Sequence, residues 1–209
     1  MEIVCFDMEG TLTPEIWEQV AKNTGIDEFN KTTRDIPSYG ELMDFRLDIM
    51  SKHNLKLSDV QKAASELDLL PGAEDFINRV RQNFQVVILS DTFHEIAQPL
   101  MQKLGFPLLL CHNLGVEKDG TISSYNLRHE TAKKQAILGF QSMGYRCFAA
   151  GDSYNDIQMF DVAEKGFFIN APEKISSSQP HIQSFNNYED LENGFLQTNN
   201  TLLLHLRVL

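Results

Sequence analysis

Two carboxylates stand two residues apart where the first apolar run of the chain ends. Ile3, Val4, Cys5 and Phe6 lead into Asp7, and Glu9, Gly10 and Thr11 follow. A short run with β-branched and aromatic content suits a strand buried on both faces. Acids at the C-terminal end of such a strand lie where open α/β sheets bind ligands. Like charges so close raise each other's pKa unless a cation is present. A metal or an acid/base role accounts for the pair; from this stretch alone, a plain Asp-x-x-Gly turn is the alternative.

Two later stretches repeat the arrangement. Gln85–Leu89 (QVVIL) ends on Ser90, Asp91 and Thr92, and Cys147–Ala150 runs into Gly151, Asp152, Ser153, Tyr154, Asn155 and Asp156. Parallel strands place their C-termini along one edge, so these polar ends converge. Carboxylates from two strands make a hard oxygen site that suits magnesium together with waters and a substrate phosphate. The metal also relieves the repulsion among the acids. A carboxylate in such a site can attack phosphorus and form an aspartyl-phosphate. Ser90 and the amides after it would hold phosphoryl oxygens, and a lysine would neutralise the remaining charge. Lys133 and Lys134, where a helix opens before the fourth strand, both offer it. Positioning and electrostatics dominate phosphoryl transfer, so this set of groups is nearly sufficient.

The elements that carry these groups alternate. Strands are expected at Ile3–Phe6, Gln85–Leu89, Phe106–Cys111, Cys147–Ala150 and Gly166–Ile169. Helices are expected at Ala73–Asn83, His94–Leu104, Lys133–Met143, Ile157–Ala163 and near Tyr188–Leu196. His112–Glu117 and Thr121–Arg128 read as hairpin arms, with Asp119-Gly120 as a two-residue turn signal. This alternation predicts an α/β fold, a parallel sheet with helices on both faces. Between the first two strands the pattern is helical throughout. Pro14 suits a first helical turn, and Gly25 ends that helix. Glu41–His53 and Leu57–Leu69 follow, with Ser58 and Asp59 available as caps. Residues 14–70 therefore read as an inserted helical cap, and residues 1–13 and 71–209 as the core. The apolar tail Thr201–Leu209 is left open between a packing strand and a homodimer contact.

With 209 residues, 42% of them hydrophobic and 22% charged, the chain suits one globular domain carrying an insert. A formal net charge of −11 disfavours nucleic acid as a partner but leaves room for a small phosphorylated substrate in a local cationic pocket. Cys5, Cys111 and Cys147 lack paired spacing and read as buried free thiols of a reducing compartment. With no signal-like N-terminus and no run long enough to span a bilayer, a cytoplasmic protein without a membrane partner is expected.

Asp7-Met8-Glu9-Gly10-Thr11, Ser90, Lys133 and Gly151-Asp152-Ser153-Tyr154-Asn155-Asp156, in this order, resemble the four motifs of the haloacid dehalogenase-like phosphatase superfamily. That resemblance implies a Rossmann-like core, with the insert as the superfamily's first type of cap. Asp7-x-Glu9-Gly10, Thr32–Pro37 (TTRDIP), Val86–Phe93 and Ala149–Asp156 resemble, more narrowly, phosphoserine phosphatases of the phosphoserine:homoserine phosphotransferase type. By position, the resemblance makes Asp7 the nucleophile and a magnesium ligand. Glu9 becomes the general acid/base, its backbone carbonyl on the metal. Ser90, Asp91 and Thr92 form the phosphate cradle, Lys133 stabilises the phosphate, and Asp152 is a metal ligand. Asn155 and Asp156 support the phosphate and the metal waters. Glu15 would take the ammonium and Arg46 the carboxylate of O-phosphoserine, with homoserine as a second acceptor beside water. Two departures stand out: Glu9 where the superfamily usually has Asp, and Asp91-Thr92 where phosphoserine phosphatases commonly have two glycines. Two other readings remain beside a phosphatase for this or another small phosphomonoester. One is a receiver-like phospho-acceptor module, against which the insert argues; the other is a metal-independent dehalogenase, which the second acid and the Asp152/Asp156 pair disfavour.

Overall fold

Seven strands form one sheet in the order β4-β3-β2-β1-β5-β6-β7. The computed structural model describes residues 1–206. The strands are β1 (Glu2–Phe6), β2 (Gln85–Phe93), β3 (Leu108–Val116), β4 (Ile122–Asn126), β5 (Arg146–Gly151), β6 (Lys165–Ile169) and β7 (Gln183–Phe185). All pairings are parallel except β3–β4. The alternation along the central strands sorts their side chains onto two faces. Val4 and Phe6 of β1, Ile88 of β2 and Phe148 of β5 join one core cluster with Phe76 and Phe195. Ile3, Cys5, Val87, Leu89, Cys147 and Ala149 join the other with Ile137, Met159 and Phe168. The first face is covered by α4 (Ala73–Val80), α5 (His94–Lys103) and α9 (Tyr188–Leu206), and the second by α6 (Ala132–Ser142), α7 (Ile157–Phe160) and α8 (Glu173–Ser178). No helix among the described residues is long and apolar enough to cross a membrane.

Three α-helices, α1 (Ile16–Thr24), α2 (Tyr39–Lys52) and α3 (Leu57–Glu66), and a short 3-10 helix (Asp27–Asn30) stand between β1 and α4. Ile16, Trp17, Val20 and Ala21 give α1 its buried face, and Gly25 ends it in the left-handed conformation, φ 71°. The segment leaves and re-enters the core at one place, where the Leu70 N–H donates to the Leu12 carbonyl (2.9 Å). The β3–β4 hairpin grips its far side. The Leu57 N–H donates to the Gly120 carbonyl (2.9 Å), Lys56 pairs with Asp119 (2.8 Å), and the Tyr125 hydroxyl donates to the Gly40 carbonyl (3.0 Å).

Several local expectations are corrected. Strand β2 runs on through Ser90, Asp91 and Thr92 to Phe93, with its register against β3 shifted between Leu89 and Phe93. The polar triplet is thus an irregular continuation of the strand rather than its end. The runs expected at 106–111 and 112–117 merge into one strand, β3 (Leu108–Val116), which the buried His112 does not interrupt. The hairpin turn keeps its expected bounds, Glu117 and Thr121, but all three residues between them form it rather than Asp119-Gly120 alone. Pro14 precedes α1, which starts at Ile16. Asp59, not Ser58, caps α3, accepting from the Lys56 N–H (2.7 Å). Strand β7 and helix α8 carry too few apolar residues to signal themselves. Cys111 is half-buried, whereas Cys5 and Cys147 are buried. Through residue 206 the tail continues helix α9, which removes the strand reading there; residues 207–209 lie outside the described residues.

Candidate active site

Strand order makes the site. β1 is flanked by β2 and β5, so Asp7, the Ser90–Thr92 segment and Asp152 meet at one edge of the sheet. They line a cavity of about 990 Å³ together with Glu9, Glu15, Tyr39, Arg46, His112, Lys133 and Asn155. Asp156 lies beneath, fully buried.

Asp7 is 5% exposed. Its N–H donates to the Ala150 carbonyl (2.9 Å), which extends the β1–β5 ladder and fixes the backbone. Its Oδ1 accepts from the Met8 N–H (2.8 Å) and faces Lys133 Nζ at 2.9 Å. Lys133, 4% exposed, also reaches Asp156 Oδ1 (2.7 Å) and Asp91 Oδ2 (3.6 Å). Burial works against its charge, but the three acids hold it protonated, with a pKa well above the lysine value. Lys134 lines the same cavity, yet Lys133 is the lysine set among the acids.

The acids outnumber this cation. Burial, then Asp156, Asp152 and Asp91, push the Asp7 carboxyl well above its usual range against the pull of Lys133. Burial and the charges of Asp156 and Glu15 push Asp152 up to about 7. Oxygen atoms of Asp7, Asp152 and Asp156 lie within 4.8 Å of one another. Asp156 spends both of its oxygens inside the protein: Oδ1 on Lys133, and Oδ2 on the backbone N–H groups of Asp152 and Ser153 (3.0 Å each). Asp7 and Asp152 remain as donors. An all-oxygen set with surplus negative charge fits a divalent hard cation such as magnesium. Gly10 is required here, since a Cβ at this left-handed position (φ 77°) would lie 2.5 Å from Asp152 Oδ2.

This arrangement sets a pH dependence. Asp152 titrates near 7 in the folded chain but near 4 when unfolded. Between those values the folded state binds more protons, so stability without metal falls as pH rises from about 4 to about 7. A cation that needs the carboxylate form cancels the effect. The melting temperature in EDTA should therefore fall between about pH 5.5 and pH 7.5, and the gain from magnesium should widen over the same interval. Differential scanning fluorimetry checks this; a magnesium effect that is absent or independent of pH removes the cation from the cluster.

Ser90 and Thr92 are buried, and the Thr92 N–H donates to Ser90 Oγ (3.2 Å). Burial alone would raise the Asp91 carboxyl, but Lys133, His112 and Asn155 outweigh it and hold the group below the usual carboxylate range. Asn155 Nδ2 donates to Asp91 Oδ2 (2.8 Å), and His112 Nε2 lies 3.5 Å from Asp91 Oδ1. The remaining His112 nitrogen, Nδ1, accepts from the Arg128 N–H (3.1 Å), which assigns the ring proton to Nε2.

The opposite wall comes from the insert. Glu9 Oε1 accepts from the Ile16 N–H (2.8 Å), so this acid caps the start of α1. Burial and the neighbouring Glu15 push Glu9 up to about 8, against Ile16, Arg46 and Lys133. Burial and Glu18 raise Glu15 in turn. Arg46 is 5% exposed and rests over the Trp17 ring at 4.7 Å. Its Nη2 donates to the Lys31 carbonyl (3.1 Å), and its buried Nε has no hydrogen-bond partner. Trp17 therefore serves both the core and the cavity wall.

Tyr39 and His112 line the cavity beside the residues expected from the sequence. A tyrosine opening a helix carries no signal, whereas a histidine inside an otherwise apolar strand was a usable one. His129 borders the cavity but is exposed, bonded to Thr131; His94 is exposed and bonded to Gln98.

Residues 1–163 match the family model described as haloacid dehalogenase-like hydrolase. Over 203 residues the chain is 47% identical to a Pseudomonas aeruginosa protein named phosphoserine phosphatase ThrH, covering 97% of this chain and 99% of that one. It is 46% identical over 204 residues to a Pseudomonas syringae pv. tomato protein named phosphoserine phosphatase, covering 98% and 86%. The fold resembles that of a substrate-bound phosphoserine phosphatase complex, with TM-score 0.74 and 19% identity over 90% of this chain and 93% of that one. It also resembles a phospho-aspartyl intermediate analogue of phosphoserine phosphatase, with TM-score 0.71 and 21% identity over 84% and 90%.

Proposed function

Because the chain belongs to the haloacid dehalogenase-like hydrolases, we propose that it removes the phosphoryl group of O-phosphoserine through Asp7 and passes it to water or to homoserine. Residues 14–70 act as the cap over a core of residues 1–13 and 71–209. The substrate phosphate binds between Ser90, the amides that follow it, and Lys133. Asp7 attacks phosphorus, and the serine leaves with a proton from Glu9. Glu9 then takes the proton of the incoming hydroxyl as it attacks the phosphorus and frees Asp7. Asp7, Asp152 and the Glu9 carbonyl would hold magnesium, which supplies positive charge against the acids and the phosphoryl oxygens. Asp156 keeps Lys133 and the Asp152 backbone in place, and Asn155 holds Asp91.

Arg46 carries the substrate assignment. A buried guanidinium with an unpartnered Nε shares a cavity with Lys133 and Ser90, so an anionic ligand group at each end is favoured. The planar fork suits a carboxylate, and Glu15 beside it suits the ammonium. Arg46→Ala should raise KM for phosphoserine by about 100-fold and alter KM for a small generic phosphoester by less than about threefold. Equal effects on both substrates remove Arg46 from the substrate site.

The direct test is turnover of O-phosphoserine with magnesium, with and without homoserine, following free phosphate and phosphohomoserine together. Phosphohomoserine formed at the expense of free phosphate establishes transfer. Free phosphate alone leaves a phosphatase, and neither product overturns the substrate. Glu9→Asp draws the carboxylate back by one methylene, away from the Ile16 N–H. If the longer acid favours a bulkier acceptor alcohol, the variant loses transfer to homoserine about tenfold more than hydrolysis. Equal losses, measured from the ratio of the two products, detach the Glu9 departure from acceptor choice.

A further inference from the structure

The peptide joining Asp91 to Thr92 is held from both sides by different parts of the molecule. Its carbonyl oxygen accepts a hydrogen bond from the Tyr39 hydroxyl, on the first residue of α2. Its N–H donates to Ser90 Oγ (3.2 Å). A trans peptide is planar, with its C=O and N–H pointing in opposite directions, and no cis peptide is present among the described residues. A hydroxyl that fixes the carbonyl toward the insert thereby fixes the N–H toward Ser90, on the side where the phosphate is placed above.

Tyr39 is itself seated firmly. Its ring stacks on Phe93 (6.5 Å between centroids, 23° between planes) and lies 6.1 Å from the His112 ring. Phe93 in turn contacts Tyr125, whose hydroxyl holds the neighbouring Gly40 carbonyl. The side chain of Asp91 is fixed separately, by His112 and Asn155. The peptide is therefore the part of this residue that answers to the insert.

We infer that Tyr39 is a positioning residue that sets the orientation of the Asp91–Thr92 peptide, so that docking of α2 on the core completes the phosphate cradle. With α2 docked, the Thr92 N–H is held on Ser90 Oγ and fixes that hydroxyl beside the phosphate; with α2 withdrawn, the peptide loses the partner that orients it. The inference rests on the phosphate site proposed above, but not on phosphoserine as the substrate.

Tyr39→Phe keeps the ring and its stacking and deletes only the hydroxyl. Tyr125→Phe deletes a second hydroxyl bond between α2 and the core without touching the peptide. Inorganic phosphate, titrated calorimetrically in magnesium, is the probe. Tyr39→Phe should weaken phosphate binding roughly tenfold and raise KM by a similar factor, with a smaller change in kcat. Tyr125→Phe should bind phosphate within about twofold of the parent chain. Phosphate affinity unchanged in Tyr39→Phe overturns the inference. So does an equal loss in both variants, which would make Tyr39 one of several generic docking contacts. If the parent chain binds phosphate but does not turn over phosphoserine, the substrate reading fails while the Tyr39 comparison still stands.

Discussion

Asp7→Asn is expected to lower kcat by about 10⁴-fold or more while leaving the melting temperature unchanged or higher. The amide has nearly the same shape and cannot attack phosphorus. The backbone at this position is held by its own bond to Ala150 and does not depend on the side chain. Burial and three neighbouring acids disfavour the Asp7 charge in the cation-free chain, so a neutral isostere removes repulsion and costs little folding energy. Phosphate release from phosphoserine and thermal melts of the two proteins, both in EDTA and in magnesium, check the two halves. Substantial residual turnover rules out the aspartyl-phosphate route. A collapsed fold would instead assign Asp7 a structural role.

Lys133→Met has the second large effect, and its cost should be visible in stability as well as rate. The ammonium stands 2.7–2.9 Å from Asp156 and Asp7 and 3.6 Å from Asp91. Removing one partner of a buried ionic group leaves uncompensated charge, which costs about 3 kcal/mol or more. For a chain of this size that is a fall of about 10 °C in melting temperature. Without the lysine the folded-state pKa values of Asp7 and Asp91 rise. The folded chain then retains protons that the unfolded chain has released, so the deficit grows as pH increases from about 5 to about 8. Turnover should fall by about 10³-fold, because the donor proposed to meet the phosphoryl oxygens is lost from a buried site. Parallel melts at the two pH values measure the trend. A deficit that shrinks toward pH 8 contradicts the charge account.

Much of this was legible in the sequence because its causes are local. The apolar runs of β1, β2 and β5 announce strands buried on both faces, and each leads into polar residues that a buried strand has no other use for. Gly10 and Gly25 mark turns that only a left-handed residue makes comfortably. Helices α1, α2 and α3 show their spacing, and the excess of acids over Lys133 is visible as soon as the strand ends are counted together. Where the expectation slipped, the cause was also local. A strand that continues through Ser90, Asp91 and Thr92, or through His112, gives no apolar signal at those positions, and short elements such as β7 and α8 give hardly any.

The residues alone carry the chemistry on offer: which acids follow the apolar runs, that a lysine pair opens a helix before β5, and that helices interrupt the core. Tertiary structure decided which groups meet. The neighbour relation β2-β1-β5 is a matter of crossover connections, and it alone places Asp7 between Ser90 and Asp152. The partners that set charge and orientation come from far along the chain: Arg46 over Trp17, His112 behind Asp91, and Tyr39 on the Asp91 carbonyl. Residue spacing encodes faces of helices and strands, because those depend on a few neighbours. It does not encode which face packs against which. That choice minimises the free energy of the whole chain, and in this protein it gathers acids from several strands into one cavity with surplus negative charge.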